Sequence, residues 1–215
     1  MEKRLTELVF ILDRSGSMGG LESDTIGGFN SVLSKQKKEE GYANITTVLF
    51  DDKYELLHDR CILRKVPDIT ANEYFVRGST ALLDAVGKTI SKMINVQRQA
   101  TEEERAEKVM FVIITDGMEN ASEEYSYSQI NKMIDHQKKN YDWEFIFLGA
   151  NIDAAEVAGR FGIAKDRAAN YHADSKGTLL NYEVISNTVS QLREKGSIDG
   201  DWKEKIEKDY EKRKK

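Results

Sequence analysis

The 215-residue chain holds one cysteine, one proline and three histidines, and it has no apolar run of membrane length. Each shortage excludes something. Cys61 alone forms neither an internal disulfide nor a thiolate zinc cage. Pro67 alone rules out collagen-like and proline-rich architectures. His58, His136 and His172 are dispersed without metal-ligand spacing. The first apolar run, LVFIL at 8–12, falls far short of the roughly 20 residues that span a bilayer, and its flanks are not those of a signal peptide. The expectation is a soluble protein in a reducing, cytoplasmic setting.

Charge is unevenly placed. The chain carries a net −5, yet residues 203–215 (KEKIEKDYEKRKK) have seven basic and four acidic side chains, leaving −8 on the remainder. Such a body repels a nucleic-acid backbone, which needs a clustered basic face. In the basic tail, Trp202, Ile206 and Tyr210 recur at helical spacing, and pairs such as Glu204–Lys208 alternate in sign. A membrane anchor would have a more uniformly basic polar face, so this reads as a helix packed on the domain with its charges solvated.

What the sequence has in abundance is alternation of strand-like and helix-like segments. Leu8–Leu12 and Val109–Thr115 (VMFVIIT) are continuous apolar runs, the mark of strands buried on both faces. NITTVLF at 44–50 and YELLHDRCIL at 54–63 flank the short turn Asp51-Asp52-Lys53 and predict an antiparallel hairpin. Further strands are expected at Trp143–Leu148 and Ala168–Tyr171. Helices are expected over 20–39, from Gly78-Ser79-Thr80 through Ile94, over 127–138, 153–161 and 178–195, with Leu179, Leu180, Val184, Ile185, Val189 and Leu192 as the apolar stripe of the last. Thr101 and Glu104 have the spacing of a capping box and predict a helical extension there. The pattern predicts an α/β fold, a doubly wound, mainly parallel sheet with one antiparallel edge strand and helices on both faces. Residues 1–196 form the expected domain and 197–215 a charged helical extension beyond a hinge at 196–200.

In such sheets ligands bind beyond the carboxyl ends of the strands. The first strand runs into Asp13-Arg14-Ser15-Gly16-Ser17, and alternation would turn the oxygens of Asp13, Ser15 and Ser17 to one side. That donor set suits a hard divalent cation, while Ser and Asp at this position equally serve as helix caps. Thr80 at the second helix and Asp116 after the strongest strand would bring oxygens from three loops to one edge.

LDRSGSM, RGSTALLDA and ITDGMEN, in this order and separation, resemble the metal-ion-dependent adhesion site of von Willebrand factor type A domains. FDD at 50–52 is similar to a second-strand turn of bacterial members. The resemblance covers about residues 5–195 and implies the single-domain, bacterial intracellular kind. It implies that Ser15 and Ser17 bind Mg²⁺ (or Mn²⁺ or Ca²⁺) directly, that Thr80 binds directly or through water, and that Asp13 and Asp116 hold metal-bound waters or alternate into direct contact. It further implies a coordination position for an Asp or Glu of a partner protein, a place in a larger assembly, and residues 178–195 as the helix that shifts on ligand binding.

The competing reading is a Mg²⁺-dependent hydrolase or phosphoryl-transfer enzyme using the same aspartates. It lacks a phosphate-cradling G-x-x-x-x-G-K-[ST] loop, and Ser15 has no base in a known pattern. Asp153 near Gly149 reads as a helix cap rather than part of an anion site, and Tyr125 and Tyr127 are candidates to line a partner surface.

Overall fold

A computed structural model describes residues 5–214. Strands β1 (Leu5–Asp13), β2 (Tyr42–Phe50), β3 (Tyr54–Ile62), β4 (Lys108–Thr115), β5 (Glu144–Ala150) and β6 (Ala168–Tyr171) form one sheet in the order β3-β2-β1-β4-β5-β6. All neighbours pair in parallel except β2 and β3, the expected hairpin. Helices α1 (Glu22–Gln36), α2 (Leu82–Gln99), α3 (Tyr127–Tyr141), α4 (Ala154–Arg160), α5 (Ser175–Lys195) and α6 (Glu204–Arg213) flank the sheet. Among the described residues, no helix is long and apolar enough to cross a membrane.

Period-two alternation explains why the central runs are apolar throughout. Leu8, Phe10 and Leu12 of β1 pack with Phe29, Val32 and Leu33 of α1 and Ile185 and Val189 of α5. Val9 and Ile11 face the opposite layer, with Val86 and Ile90 of α2 and Ile130 and Ile134 of α3. Each face of the sheet therefore owns a separate core. Where α1 meets α5, Gly28 lets the backbones approach: a Cβ there would lie 2.2 Å from Tyr182 Cδ2.

The last helix joins the first of these cores through Ile206, with Trp202 from the turn before it. Trp202 Nε1 donates to the Asp166 carbonyl at 2.8 Å, and Lys203 Nζ donates to the Lys165 and Ala168 carbonyls at 2.9 Å. These contacts cover the end of edge strand β6, where unpaired carbonyls would otherwise invite another chain. Gly196, at φ +75°, stops α5 in the left-handed conformation that favours glycine.

Two local expectations need correction, and the placements of Cys61 and His58 add detail. Residues 101–105 form one turn, not a helical extension: the Thr101 hydroxyl bonds the Glu104 carboxylate at 3.0 Å, and α2 has already ended at Gln99. Leu179 is 47% exposed, because α5 begins at Ser175, three residues before the expected start at 178, and its buried face includes Thr178, Asn181 and Tyr182. Cys61 is half-buried against the core. His58 is a core histidine, with Nδ1 3.0 Å from Thr47 Oγ1 at a bulge in the hairpin.

Candidate metal centre

The strand order places a switch point between β1 and β4, because the chain leaves β1 toward β2 and returns on the other side to β4. Ligands of open α/β sheets bind at such a crevice. Asp13 ends β1, and Asp116 follows β4 directly, so both carboxylates stand at the carboxyl edge of that crevice.

The loop after β1 makes a single 3-10 turn over Gly16–Met18. Ser15 precedes it, yet its side chain makes no capping bond, and neither does the residue preceding α1. The serines are therefore not spent on helix ends. Their hydroxyls face each other at 3.0 Å. Asp13 accepts from the Ser15 backbone N–H at 2.7 Å and from the Thr115 hydroxyl at 2.6 Å. From beneath, the Tyr74 hydroxyl donates to the Asp13 carbonyl at 2.5 Å.

Thr80 lies two residues before α2, which starts at Leu82 rather than at the threonine itself. The free amides at the start of α2 are taken by others: Leu83 N–H donates to Glu119 Oε2 at 2.8 Å and Asp84 N–H to Ser122 Oγ at 3.1 Å. Asn120 grips the Thr80 backbone on both sides, with Thr80 N–H on its Oδ1 at 2.9 Å and its own N–H on the Thr80 carbonyl at 3.0 Å. Gly117 closes the arrangement. A Cβ there would lie 3.0 Å from Ser17 Oγ and 3.2 Å from Thr80 Oγ1, so the three loops meet around this glycine.

The five residues singled out in the sequence are thus brought to one edge. Asp13, Ser15, Thr80 and Asp116 are buried, and Ser17 is exposed at the surface. Burial pushes the Asp116 carboxyl above its usual range, with the nearby Ser17 hydroxyl offsetting part of the effect. Neither of its oxygens finds a hydrogen-bond partner of good geometry. Burial also raises Asp13, against the hydrogen bonds from Thr115 and Ser15, and the neighbouring Asp116 adds to the rise. Two buried carboxylates side by side, one of them unpartnered, are costly unless a positive charge joins them.

An oxygen-rich site of this kind fits a hard divalent cation. Among the described residues, no three His, Cys, Asp or Glu side chains cluster as a metal-holding group. Any ion at this edge would depend on the serine and threonine hydroxyls as well as the two aspartates. A cavity of about 730 Å³ opens at the opposite, amino-terminal end of the parallel strands, beside Leu5, Tyr42 and Arg60, and none of the five lines it.

The pairing of Arg14 with Asp51 leaves no signal in the sequence. Arg14, between two candidate ligands, turns its side chain away from the edge into full burial, with Nε on Asp51 Oδ2 at 2.9 Å and Nη2 on Glu55 Oε2 at 2.7 Å. Burial pushes the Asp51 carboxyl up, but hydrogen bonds from Arg77, the Lys53 amide and Arg14 outweigh it and hold it below the usual range. Asp153 caps α4 as expected, accepting from the Glu156 N–H at 3.0 Å. Tyr125 and Tyr127 are packed rather than presented: Tyr125 covers Gly87, and Tyr127 lies under Arg160 and against Phe161.

No protein-family model matches the sequence, and no curated protein matches it. Solved structures do. The chain aligns with a von Willebrand factor type A structure from Catenulispora acidiphila at 12% identity and TM-score 0.60, covering 86% of this chain and 42% of that one. The fold is vWA-like. Manganese-loaded TRAP protein from Plasmodium vivax aligns at 16% identity and TM-score 0.58, over 84% of this chain and 73% of that one. Proximal thread matrix protein 1 from the mussel byssus, with a zinc-occupied MIDAS motif, aligns at 13% identity and TM-score 0.56, over 86% of this chain and 46% of that one. The chain thus spans less than half the length of the mussel and Catenulispora structures. The vWA-like architecture accounts for the six-stranded sheet, its single antiparallel edge and the helices on both faces.

Proposed function

We propose that this vWA-like chain is a metal-dependent protein-binding module and not an enzyme. The observation that carries the reading is Asp116: a buried carboxylate with no hydrogen-bond partner of good geometry, beside buried Asp13 and within reach of the Ser17 hydroxyl. Asp13, Ser15, Ser17, Thr80 and Asp116 would hold the ion, with Mg²⁺ the proposed occupant and Mn²⁺ or Ca²⁺ chemically acceptable. When bound, the ion supplies an electrophilic position that accepts an Asp or Glu side chain of a partner.

The chain's own residues prepare that position. Asp13 and Asp116 provide negative charge in a poorly hydrated place, where a cation gains most from it. Thr115 and the Ser15 amide fix the Asp13 carboxylate, and Asn120 fixes Thr80. Gly16, Ser17, Gly19, Gly20, Gly78 and Ser79 leave the rim low and exposed, so a partner side chain can approach. One metal–carboxylate contact does not make an interface specific; a stable partner would cover about 1,600 Å² in total.

The hydrolase alternative needs a base or a cationic clamp beside the aspartates. Arg14 is committed to Asp51 and Glu55, His58 lies in the hairpin, and His172 stacks on Tyr210 with ring centroids 4.7 Å apart. These placements favour the binding reading.

Selection of displayed random peptides on the immobilised protein in Mg²⁺ tests the proposal. The expected peptides share an Asp or Glu, are released by EDTA, and lose binding when that residue becomes Asn or Gln. Peptides that hold equally well in EDTA, or that share no acidic residue, would contradict it.

A further inference from the structure

Asp51 lies in the β2–β3 turn and is fully buried. Its Oδ2 accepts from Arg14 Nε at 2.9 Å and from Arg77 Nε at 2.7 Å, and its Oδ1 accepts from the Lys53 N–H at 2.8 Å. Its carbonyl accepts from the Ala81 N–H at 2.8 Å. Arg14 stands between Asp13 and Ser15, and Ala81 follows Thr80. One residue therefore holds the loop of the two serines, the loop of the threonine, and its own turn.

Backbone bonds complete the clasp. Arg14 N–H donates to the Phe50 carbonyl at 2.8 Å, Arg77 N–H to the Arg14 carbonyl at 2.9 Å, and Gly16 N–H to the Gly78 carbonyl at 3.1 Å. Gly78, at φ +67°, brings its backbone so close that a Cβ would fall 2.0 Å from Asp52 Oδ1. Two guanidinium groups so near a cation-binding edge would repel the ion if left unneutralised. Asp51 and Glu55 neutralise them.

We infer that Asp51 is a positioning residue for the metal centre, setting Ser15 and Thr80 in register through Arg14, Arg77 and the Ala81 amide. It touches the ligands' neighbours, not the ion. Supporting groups of this kind set metal affinity because the ligands must arrive already oriented. The inference rests on the metal reading above and adds to it a residue for which no ligand motif accounts.

Mn²⁺ affinity, read from the electron paramagnetic resonance of free Mn²⁺, tests it alongside the melting temperature of metal-free protein. Asp51→Asn should raise the Mn²⁺ dissociation constant about tenfold or more, in line with losses at supporting residues of metal sites. Ile134→Ala, in the core beneath α3, serves as the destabilised control and should leave Mn²⁺ affinity near wild type. Arg77→Gln removes only the half-exposed arginine of the clasp, so it provides the test in a stably folded chain. It should weaken Mn²⁺ several-fold with little change in the metal-free melting temperature. Wild-type affinity in Asp51→Asn or Arg77→Gln, or equal weakening in Ile134→Ala, would overturn the positioning role. Failure of the wild type to bind Mn²⁺ would instead overturn the metal reading itself, and this inference with it.

Discussion

The Thr115 hydroxyl, at the end of β4, donates to Asp13 Oδ2, at the end of β1, at 2.6 Å. This bond joins the two strands on either side of the switch point and is buried. Together with the Ser15 amide it keeps Asp13 aimed at the edge. Thr115→Val keeps the shape and removes the donor. Hydrogen bonds to charged groups are worth about 1.5–3 kcal/mol, so denaturant unfolding should show a loss in that range. Mn²⁺ binding should weaken too; unchanged affinity would mean the bond serves the fold alone.

Asp116→Asn should separate the cost of the site from its use. Burial raises the carboxyl's native pKa, so its stabilising contribution is present below the unfolded value of about 3.9 and is lost as pH rises through the elevated native value. At neutral pH the ionised group is a liability in metal-free protein. The asparagine variant should therefore be more stable than wild type in EDTA, by about 1 kcal/mol. It should gain nothing from Mg²⁺. A variant less stable than wild type in EDTA at neutral pH would show that Asp116 is well compensated without metal.

Gly28→Ala places a methyl where Tyr182 already stands, 2.2 Å from the ring. Alanine improves helix propensity by up to about 1 kcal/mol, but overpacking a close helix contact costs roughly 1–3 kcal/mol. The net expectation is destabilisation, measured by urea unfolding. A more stable variant would mean that α5 moves aside readily.

The C-terminal helix is held by a charged clasp of Lys176, Asp209, Arg213 and Asp174. Lys176 and Arg213 hold Asp209 below the usual range; at Asp174 burial pushes upward, but the Gly177 amide and Arg213 outweigh it. Both carboxylates thus stabilise the fold above their unfolded pKa of about 3.9, and that contribution is lost as pH falls through the lower native values. Below about pH 4 α6 should loosen, exposing Trp202, whose emission in a Trp143→Phe background should shift to the red before the far-ultraviolet signal is lost. Simultaneous loss of both signals would contradict a separately released helix.

Much of this was legible in the sequence, for identifiable reasons. Val109–Thr115 reads as a strand because a parallel strand buried on both faces has no polar position, and Ala168–Tyr171 was bounded to the residue. Asp13, Ser15 and Ser17 are neighbours in one loop, so local spacing alone places them together. Arg14 to Asp51, by contrast, spans 37 residues and leaves no periodic trace. The same holds for Asn120 gripping Thr80 across 40 residues. A capping-box spacing describes a turn as readily as a helix start, so Thr101–Glu104 closes one turn where the spacing predicts an extension. Leu179 is exposed where the apolar stripe predicts burial, because polar side chains fill much of the buried face of α5, where Thr178 and Asn181 face inward.

The central claim, that this edge holds a divalent cation, is tested most directly by thermal unfolding of metal-stripped protein titrated with Mg²⁺, beside Asp13→Ala. A ligand bound only by the native state adds RT ln(1 + [L]/Kd), about 2.7 kcal/mol at 100 Kd. For a chain of this size that is a rise of roughly 5–10 °C. The account predicts such a rise in the wild type and none in Asp13→Ala. No rise in the wild type up to several millimolar Mg²⁺, or an equal rise in both proteins, would contradict it.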